Sequence, residues 1–192
     1  MRCFSCARLS IEIICEACCH TLFVPAIHKR KIGTLEVISF FPYTTLESLL
    51  HTKHKPEGYR IYKKLGTLFF KPFIQTFVEE SKNKIYTIGI DEHVEDGYSH
   101  VAQLTHAMRH YAKPLHATLL SKSKVKYSGK NMQYRREHPR KFHYTGKSHI
   151  DAILVDDIVT TGITLQEAQQ VLEGYHVNVL FALTLAEVER KK

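Results

Sequence analysis

Residues 150–175 read IDAILVDDIVTTGITLQEAQQVLEGY, and this stretch decides the fold. An apolar run at 153–155 meets Asp156 and Asp157, then a Thr160-Thr161-Gly162 turn that opens an amphipathic helix from Thr164. The order predicts a strand, a polar loop and a helix N-terminus in direct succession. Backbone N–H groups of a short loop and a first helical turn have no internal partners, and the positive end of the helix dipole adds to them. A phosphate fits there. Gly162 permits a close approach and a positive φ, while the hydroxyls of Thr160, Thr161 and Thr164 can donate to phosphate oxygens. Carboxylates do not bind phosphate directly; they accept from neighbouring hydroxyls such as the 2′ and 3′ groups of a ribose. Asp156, Asp157, Val159, Thr160, Thr161, Gly162 and Thr164 therefore read as a ribose 5-phosphate cradle at the carboxyl end of a strand, where open α/β sheets bind ligands.

Outward from this stretch the same alternation continues. Residues 85–90 read as a strand, 99–111 as a helix with Val101, Leu104, Met108 and Tyr111 on one face, and 116–120 as another strand. Residues 150–156, 164–173 and 176–185 complete strand, helix, strand, with Gly174 as the helix stop. The fold class expected is α/β: a mainly parallel sheet with helices on both faces, joined to a small N-terminal four-cysteine module. Upstream, 35–41 has the β-branched and aromatic content of a strand ended by Pro42. Residues 46–54 and 59–80 read as helices, with Gly58 breaking the chain between them and Pro72 kinking the second. The run His28-Lys29-Arg30-Lys31 reads as a solvated linker, and His51, Lys53, His54 and Lys55 crowd a turn that is either a wet face or part of a site. The regions expected are a zinc-binding module at 1–25, a helical hood with one strand at 26–84, and the nucleotide domain at 85–192.

All five cysteines fall within residues 1–19. Cys3 and Cys6, then Cys15 and Cys18, form two CxxC pairs, the arrangement of a four-sulfur tetrahedral zinc site. Cys19 is a second candidate for the fourth ligand and His20 a third. A stretch this short cannot bury a core of its own, so a metal would be its main organiser.

Twenty-seven Lys and Arg against 19 Asp and Glu give a net charge of +8, which favours polyanionic partners or anionic surfaces. No apolar run is long enough to span a bilayer, and the start does not read as a signal peptide; a cytoplasmic location is expected. The charge is concentrated between residues 120 and 150, where Lys122, Lys124, Lys126, Lys130, Arg135, Arg136, Arg140, Lys141 and Lys147 meet one acid, Glu137. Tyr127, Tyr134, Phe142 and Tyr144 are interleaved with them. Cations among rings on which bases stack are what a sequence-tolerant single-strand binder needs, and Lys126, Lys130, Arg135, Arg136, Arg140 and Lys141 are the expected nucleic-acid contacts. The same connection lacks obvious secondary structure and leads to the acid pair, so it also suits a hood over the nucleotide site.

The string LVDDIVTTGITL resembles the phosphoribosyl pyrophosphate (PRPP) motif of type I phosphoribosyltransferases. With the four cysteines before it and LLHTKHKPEG in the middle, the chain resembles the ComF (ComFC) competence proteins of naturally transformable bacteria over nearly its whole length. That resemblance implies a cytoplasmic protein, peripheral to the inner-membrane DNA-uptake machinery, that acts on incoming single-stranded DNA and carries zinc and a site for PRPP with Mg²⁺. The chain departs from the pattern where transferases form their pyrophosphate loop: Asp91, Glu92, Glu95 and Asp96 would repel pyrophosphate unless Mg²⁺ bridges them. Two functions follow. One is a DNA- and PRPP-binding competence factor on a phosphoribosyltransferase-like scaffold; the other is an active transferase in which Asp156 or Asp157 stabilises an oxocarbenium-like transition state.

Overall fold

After a six-residue helix α1 (Glu16–Thr21), the chain enters a hairpin of β1 (His28–Ile32) and β2 (Leu35–Pro42), paired antiparallel from His28 opposite Ser39 to Ile32 opposite Leu35. The computed structural model describes residues 1–79, 81, 83–92, 94, 97–123 and 132–189, with side chains at all of these except 132, 135 and 136. The basic run expected to be a linker is therefore a strand. Lys29 and Lys31 are exposed while His28 and Arg30 are partly covered, and lysines on an edge strand discourage pairing with another chain. The 26–84 segment contributes two strands to the sheet, where one was expected.

Next come α2 (Tyr43–Leu50), a 3₁₀ turn (His51–His54), α3 (Pro56–Leu65), a π turn (Gly66–Phe70) and α4 (Lys71–Glu79). The break expected at Gly58 is absent: Gly58 lies in the first turn of α3, where a Cβ would run into the Thr52 carbonyl and the Tyr98 hydroxyl. Pro72 does not interrupt the helical path either. It has no N–H to donate, and the preceding turn widens so that the Lys71 N–H bonds to the Gly66 carbonyl.

The rest is β3 (Ile85–Gly89), α5 (His100–Ala107), β4 (Lys113–Pro114), β5 (Leu119–Ser121), α6 (Met132–Glu137), β6 (Phe142–Tyr144), β7 (Ile150–Val159), α7 (Ile163–Gly174) and β8 (Val177–Glu187). The sheet order is β1-β2-β8-β7-β3-β4, parallel except for β1. A separate ribbon pairs β5 with β6 antiparallel, so of the strand expected at 116–120 only 119 and 120 are extended, and they belong to the ribbon and not to the sheet; the basic connection has secondary structure of its own. β7 is central and its residues Ala152, Ile153, Leu154 and Val155 are fully buried, which is why it reads as a continuous apolar run and not an alternating one.

Each sheet face has its own core. Ile153, Val155, Phe181 and Leu183 face α2 to α5 and the N-terminal module through Leu46, Ile61, Phe70, Leu104 and Ile14. Ala152, Leu154 and Ala182 face α7 and the ribbon through Leu165, Ala168, Leu172, Phe142 and Tyr144. The expected helices on both faces are present. The crossover from β3 runs outward through α5 to β4, and that from β7 runs the other way through α7 to β8, so the topological switch lies between β3 and β7. Open α/β sheets place ligands outside the strand ends at such a point.

Candidate functional site

The acid pair lies within β7: Asp156 pairs with Thr184 and Val159 with Glu187 of β8. Sequence ended the strand at Asp156; the ladder carries it three residues further, past Asp157, and the loop proper begins at Thr160. Val159 is 2% exposed and belongs to the core, so it offers the site only its backbone, whose carbonyl accepts from Val188 N–H at 2.9 Å. Gly162 sits at φ 81° as the residue before α7, its carbonyl accepting from Gln166 N–H at 3.0 Å. The Ile163 N–H faces Thr161 Oγ1 at 3.5 Å, and the first turn of α7 carries no acid that would compete for its N–H groups. Thr160, Thr161 and Thr164 are half-buried around this turn.

Behind the loop stands a residue assigned above to a linker. Arg30 donates through Nη2 to the Thr160 carbonyl at 2.7 Å, and its Nε lies 3.5 Å from Glu187. The β1 edge strand thus braces the loop across 130 residues of sequence.

The two carboxylates have different surroundings. Asp156 is half-buried and its Oδ1 accepts from the Asp157 N–H at 2.8 Å. Asp157 is 5% exposed, and its Oδ2 meets Lys53 Nζ at 3.4 Å, Tyr62 Oη at 3.3 Å and His100 Nε2 at 3.5 Å. Burial pushes the Asp156 carboxyl well above the usual carboxylate range and the Asp157 charge adds to this. Burial also opposes ionisation of Asp157, but Lys53 and then His100 outweigh it and hold the group low. Lys53 is raised in return, chiefly by Asp157. The turn at 51–55 therefore delivers a cation to the acid pair. Lys53, Tyr62 and His100 carried no local sequence signal for this role; only the crowding of cations around Lys53 hinted at a site.

A raised carboxyl destabilises the fold where it is ionised. The Asp156 folded-state value lies above its unfolded one, so stability falls as pH rises from about 4 through the folded value. Asp156→Asn keeps the oxygen that accepts from Asp157 N–H and removes the charge. Urea unfolding should show the variant gaining stability relative to wild type as pH rises from about 4 to about 7, an advantage that shrinks toward the acid end.

Across the switch point, the acids expected to repel pyrophosphate are compensated. Asp91, at φ 53°, accepts from Ser121 N–H at 2.8 Å and pairs with Arg140 Nη1 at 2.6 Å. Glu92 is 3% exposed and accepts from Thr105 Oγ1 at 3.0 Å and Ala117 N–H at 2.7 Å, with His116 Nδ1 at 3.3 Å. That carboxylate raises His116. Glu95 and Asp96 lie outside the described residues.

The basic connection is partly committed elsewhere. Arg140 is engaged with Asp91, and the backbone N–H groups of Arg140 and Lys141 both donate to Glu167 of α7, at 3.0 and 2.6 Å. Phe142 and Tyr144, expected as stacking rings, are 7% and 2% exposed and face the core, whereas Tyr134 stacks on His138 at 4.1 Å. Lys122, Lys141 and Lys147 are exposed. Lys126, Lys130 and Tyr127 lie outside the described residues, as do the side chains of Arg135 and Arg136.

At the other end of the chain, the sulfurs of Cys3, Cys6, Cys15 and Cys18 all lie within 4.8 Å of one another. A zinc–sulfur bond of about 2.3 Å in a tetrahedron sets sulfur–sulfur separations of roughly 3.8 Å. Cys3 to Cys18 is 3.9 Å and Cys6 to Cys15 is 3.7 Å, so the cluster fits a zinc ion. The Cys19 thiol turns to the Ile14 carbonyl at 3.8 Å, and Cys18 completes the set. Burial opposes ionisation of Cys3, but backbone N–H groups led by that of Cys15 bring its thiol down to about 6.

No protein-family model and no curated protein matches this chain. Among solved structures, an adenine phosphoribosyltransferase is similar at a TM-score of 0.44 and 14% identity, covering 85% of this chain and 86% of that one. Adenine phosphoribosyltransferase from Saccharomyces cerevisiae, complexed with an imino-altritol bisphosphate and adenine, is similar at 0.44 and 16%, covering 85% and 84%. A hypoxanthine phosphoribosyltransferase from Staphylococcus aureus follows at 0.41 and 14%, covering 72% and 71%. Similarity of this order assigns no activity and no residue role. Among the described residues, no helix is long and apolar enough to cross a membrane.

Proposed function

We propose that this chain binds a ribose 5-phosphate group, as carried by PRPP with Mg²⁺, at the end of β7, and binds single-stranded DNA along its basic connection as a competence factor on the cytoplasmic side of the DNA-uptake machinery. The observation that carries the first part is the left-handed Gly162 between the acid pair and the acid-free N-terminus of a 12-residue helix. It supports reading the N–H groups that open the helix as a phosphate seat and the carboxylates a few residues before them as acceptors for ribose hydroxyls. Mg²⁺ would arrive on the pyrophosphate as part of the ligand. Zinc is assigned to Cys3, Cys6, Cys15 and Cys18, where it would fix two turns and leave no open position for catalysis.

Calorimetry with PRPP and Mg²⁺ tests the cradle. Wild-type protein should bind, and Asp156→Ala with Asp157→Ala should weaken binding by more than about a hundredfold if two charged hydrogen bonds are lost additively. Equal binding by both proteins would refute it.

The DNA assignment rests on charge, so affinity for an oligo-dT strand should fall with salt at a log–log slope near roughly −0.7 per phosphate neutralised. Replacing Arg135, Arg136 and Lys141 by Ala, with Arg140 kept on Asp91, should flatten that slope. An unchanged slope would move the surface elsewhere.

The compensation of Asp91 and Glu92 favours a second reading, an active transferase, because these two acids no longer oppose an entering pyrophosphate. In that reading Asp156 or Asp157 stabilises an oxocarbenium-like centre at the ribose. Release of pyrophosphate from PRPP with any one base of a purine, pyrimidine and orotate panel, abolished in the double variant, would establish it.

A further inference from the structure

Among the described residues, the Asp157 carboxylate is met by three side chains from outside the ribose-phosphate loop, besides the neighbouring Asp156. Lys53 belongs to the 3₁₀ turn, Tyr62 to α3, and His100 opens α5 behind its Ser99 cap, whose Oγ accepts from Ala102 N–H at 3.2 Å. All three converge on one oxygen, Oδ2. The turn that carries Lys53 is fastened a second time, since Tyr98 Oη donates to the Lys53 carbonyl at 2.7 Å. A carboxylate buried to this degree and met by an ammonium, a phenol and an imidazole has its charge balanced internally. A sugar hydroxyl donating to Oδ2 would have to displace one of these donors, and displacing Lys53 would leave a buried charge unpaired. Asp156 is more open: it is half-buried, its Oδ1 accepts from the N–H of the next residue, and its closest charged neighbour is Asp157 itself, not a cation held on another element.

We propose that the acid pair is divided in labour: Asp156 alone accepts the ribose diol, and Asp157 is a positioning residue that latches the His51–His54 turn to the end of β7 through Lys53. This rests on the ribose-phosphate reading above for its first half and on geometry alone for its second. Lys53 becomes a positioning residue too, and its loss should resemble the loss of Asp157 and not the loss of Asp156. A symmetric pair, in which both acids read the sugar, requires the opposite.

The test uses the full-length, zinc-loaded protein as wild type, Asp156→Asn, Asp157→Asn, Lys53→Met and Lys53→Arg. Two measurements are made on each: calorimetric affinity for ribose 5-phosphate and for 2-deoxyribose 5-phosphate, and amide hydrogen exchange across 51–58 without ligand. Wild type should prefer the ribose compound by at least about tenfold, the worth of one charged hydrogen bond. Asp156→Asn should abolish that preference and leave exchange at 51–58 unchanged. Asp157→Asn and Lys53→Met should accelerate exchange there alike, while each keeps the ribose preference, and Lys53→Arg should restore much of the protection. Loss of the preference in Asp157→Asn but not in Asp156→Asn would overturn the division. Exchange unaltered in Asp157→Asn and Lys53→Met would overturn the latch. If wild type binds neither sugar phosphate, the ribose reading fails and the diol assignment with it, while the exchange data still decide the latch.

Discussion

Replacing Cys3 and Cys18 together by Ser should open residues 1–27 to trypsin at Arg2 and Arg8, abolish a stoichiometry of about one zinc per chain, and leave the α/β domain folded. The module has little else to hold it. Its buried apolar side chains are Cys3, Ile13, Ile14, Cys18 and Phe23, while Leu9 and Ile11 are 83% and 95% exposed. Its helix α1 has six residues and no side-chain cap. Four sulfurs within 4.8 Å repel one another once ionised unless a cation sits among them. Structural zinc supplies roughly 10–16 kcal/mol in finger peptides, comparable to a whole domain's net stability, so the effect should be all-or-none. Ile14 and Phe23 pack into the core that α2 to α5 share with the sheet, so the domain should lose some thermal stability without unfolding. Cys19→Ser is the control: its thiol lies on the Ile14 carbonyl, and zinc content should not change. A metal-free protein whose N-terminus still resists trypsin would sink the zinc assignment.

Gly162→Ala should reduce PRPP affinity by more than about a hundredfold and destabilise the protein by roughly 2–4 kcal/mol. Two penalties combine. At φ 81° a side chain costs about 1–2 kcal/mol against the left-handed backbone. The new Cβ would also run into Ile32, whose Cγ2 would stand 2.9 Å away and which is itself 5% exposed in the second core. The loop must move, and the N–H groups of the first turn of α7 move with it. The double variant Gly162→Ala with Ile32→Ala separates the penalties: space is restored but not φ, so stability should return only in part and binding should stay weak. Thermal melts and calorimetry on the two variants decide this. Wild-type affinity in Gly162→Ala would mean that the phosphate does not sit at this turn.

Much of the fold follows from local pattern. The continuous apolar run of β7, the glycine before α7, the helix period of 99–111 and the CxxC spacing are short-range signals, each tied to a constraint that acts within a few residues. Burial on both faces makes a strand apolar throughout, a left-handed turn needs glycine, and a four-sulfur site needs its pairs on tight turns. The same logic misplaced the boundaries that depend on neighbours. The acid pair falls inside β7 because β8 continues to pair with it as far as Glu187. The basic run at 28–31 is a strand because β2 offers it an edge, and Phe142 and Tyr144 face inward because the β5–β6 ribbon packs on the second core.

The sequence by itself determined the α/β class, the glycine turn that opens α7 and the four-cysteine cluster, since each depends on residues close along the chain. Only the tertiary structure decided what the acids do. Lys53 reaches Asp157 across 104 residues and Tyr62 across 95, Arg30 reaches the Thr160 carbonyl across 130, and Arg140 neutralises Asp91 across 49. Charge pairing falls off with distance in space and is indifferent to separation along the chain. Two adjacent, chemically identical carboxylates therefore hold their protons oppositely, one raised by burial and its neighbour, the other held down by a lysine and a histidine that only folding brings to it.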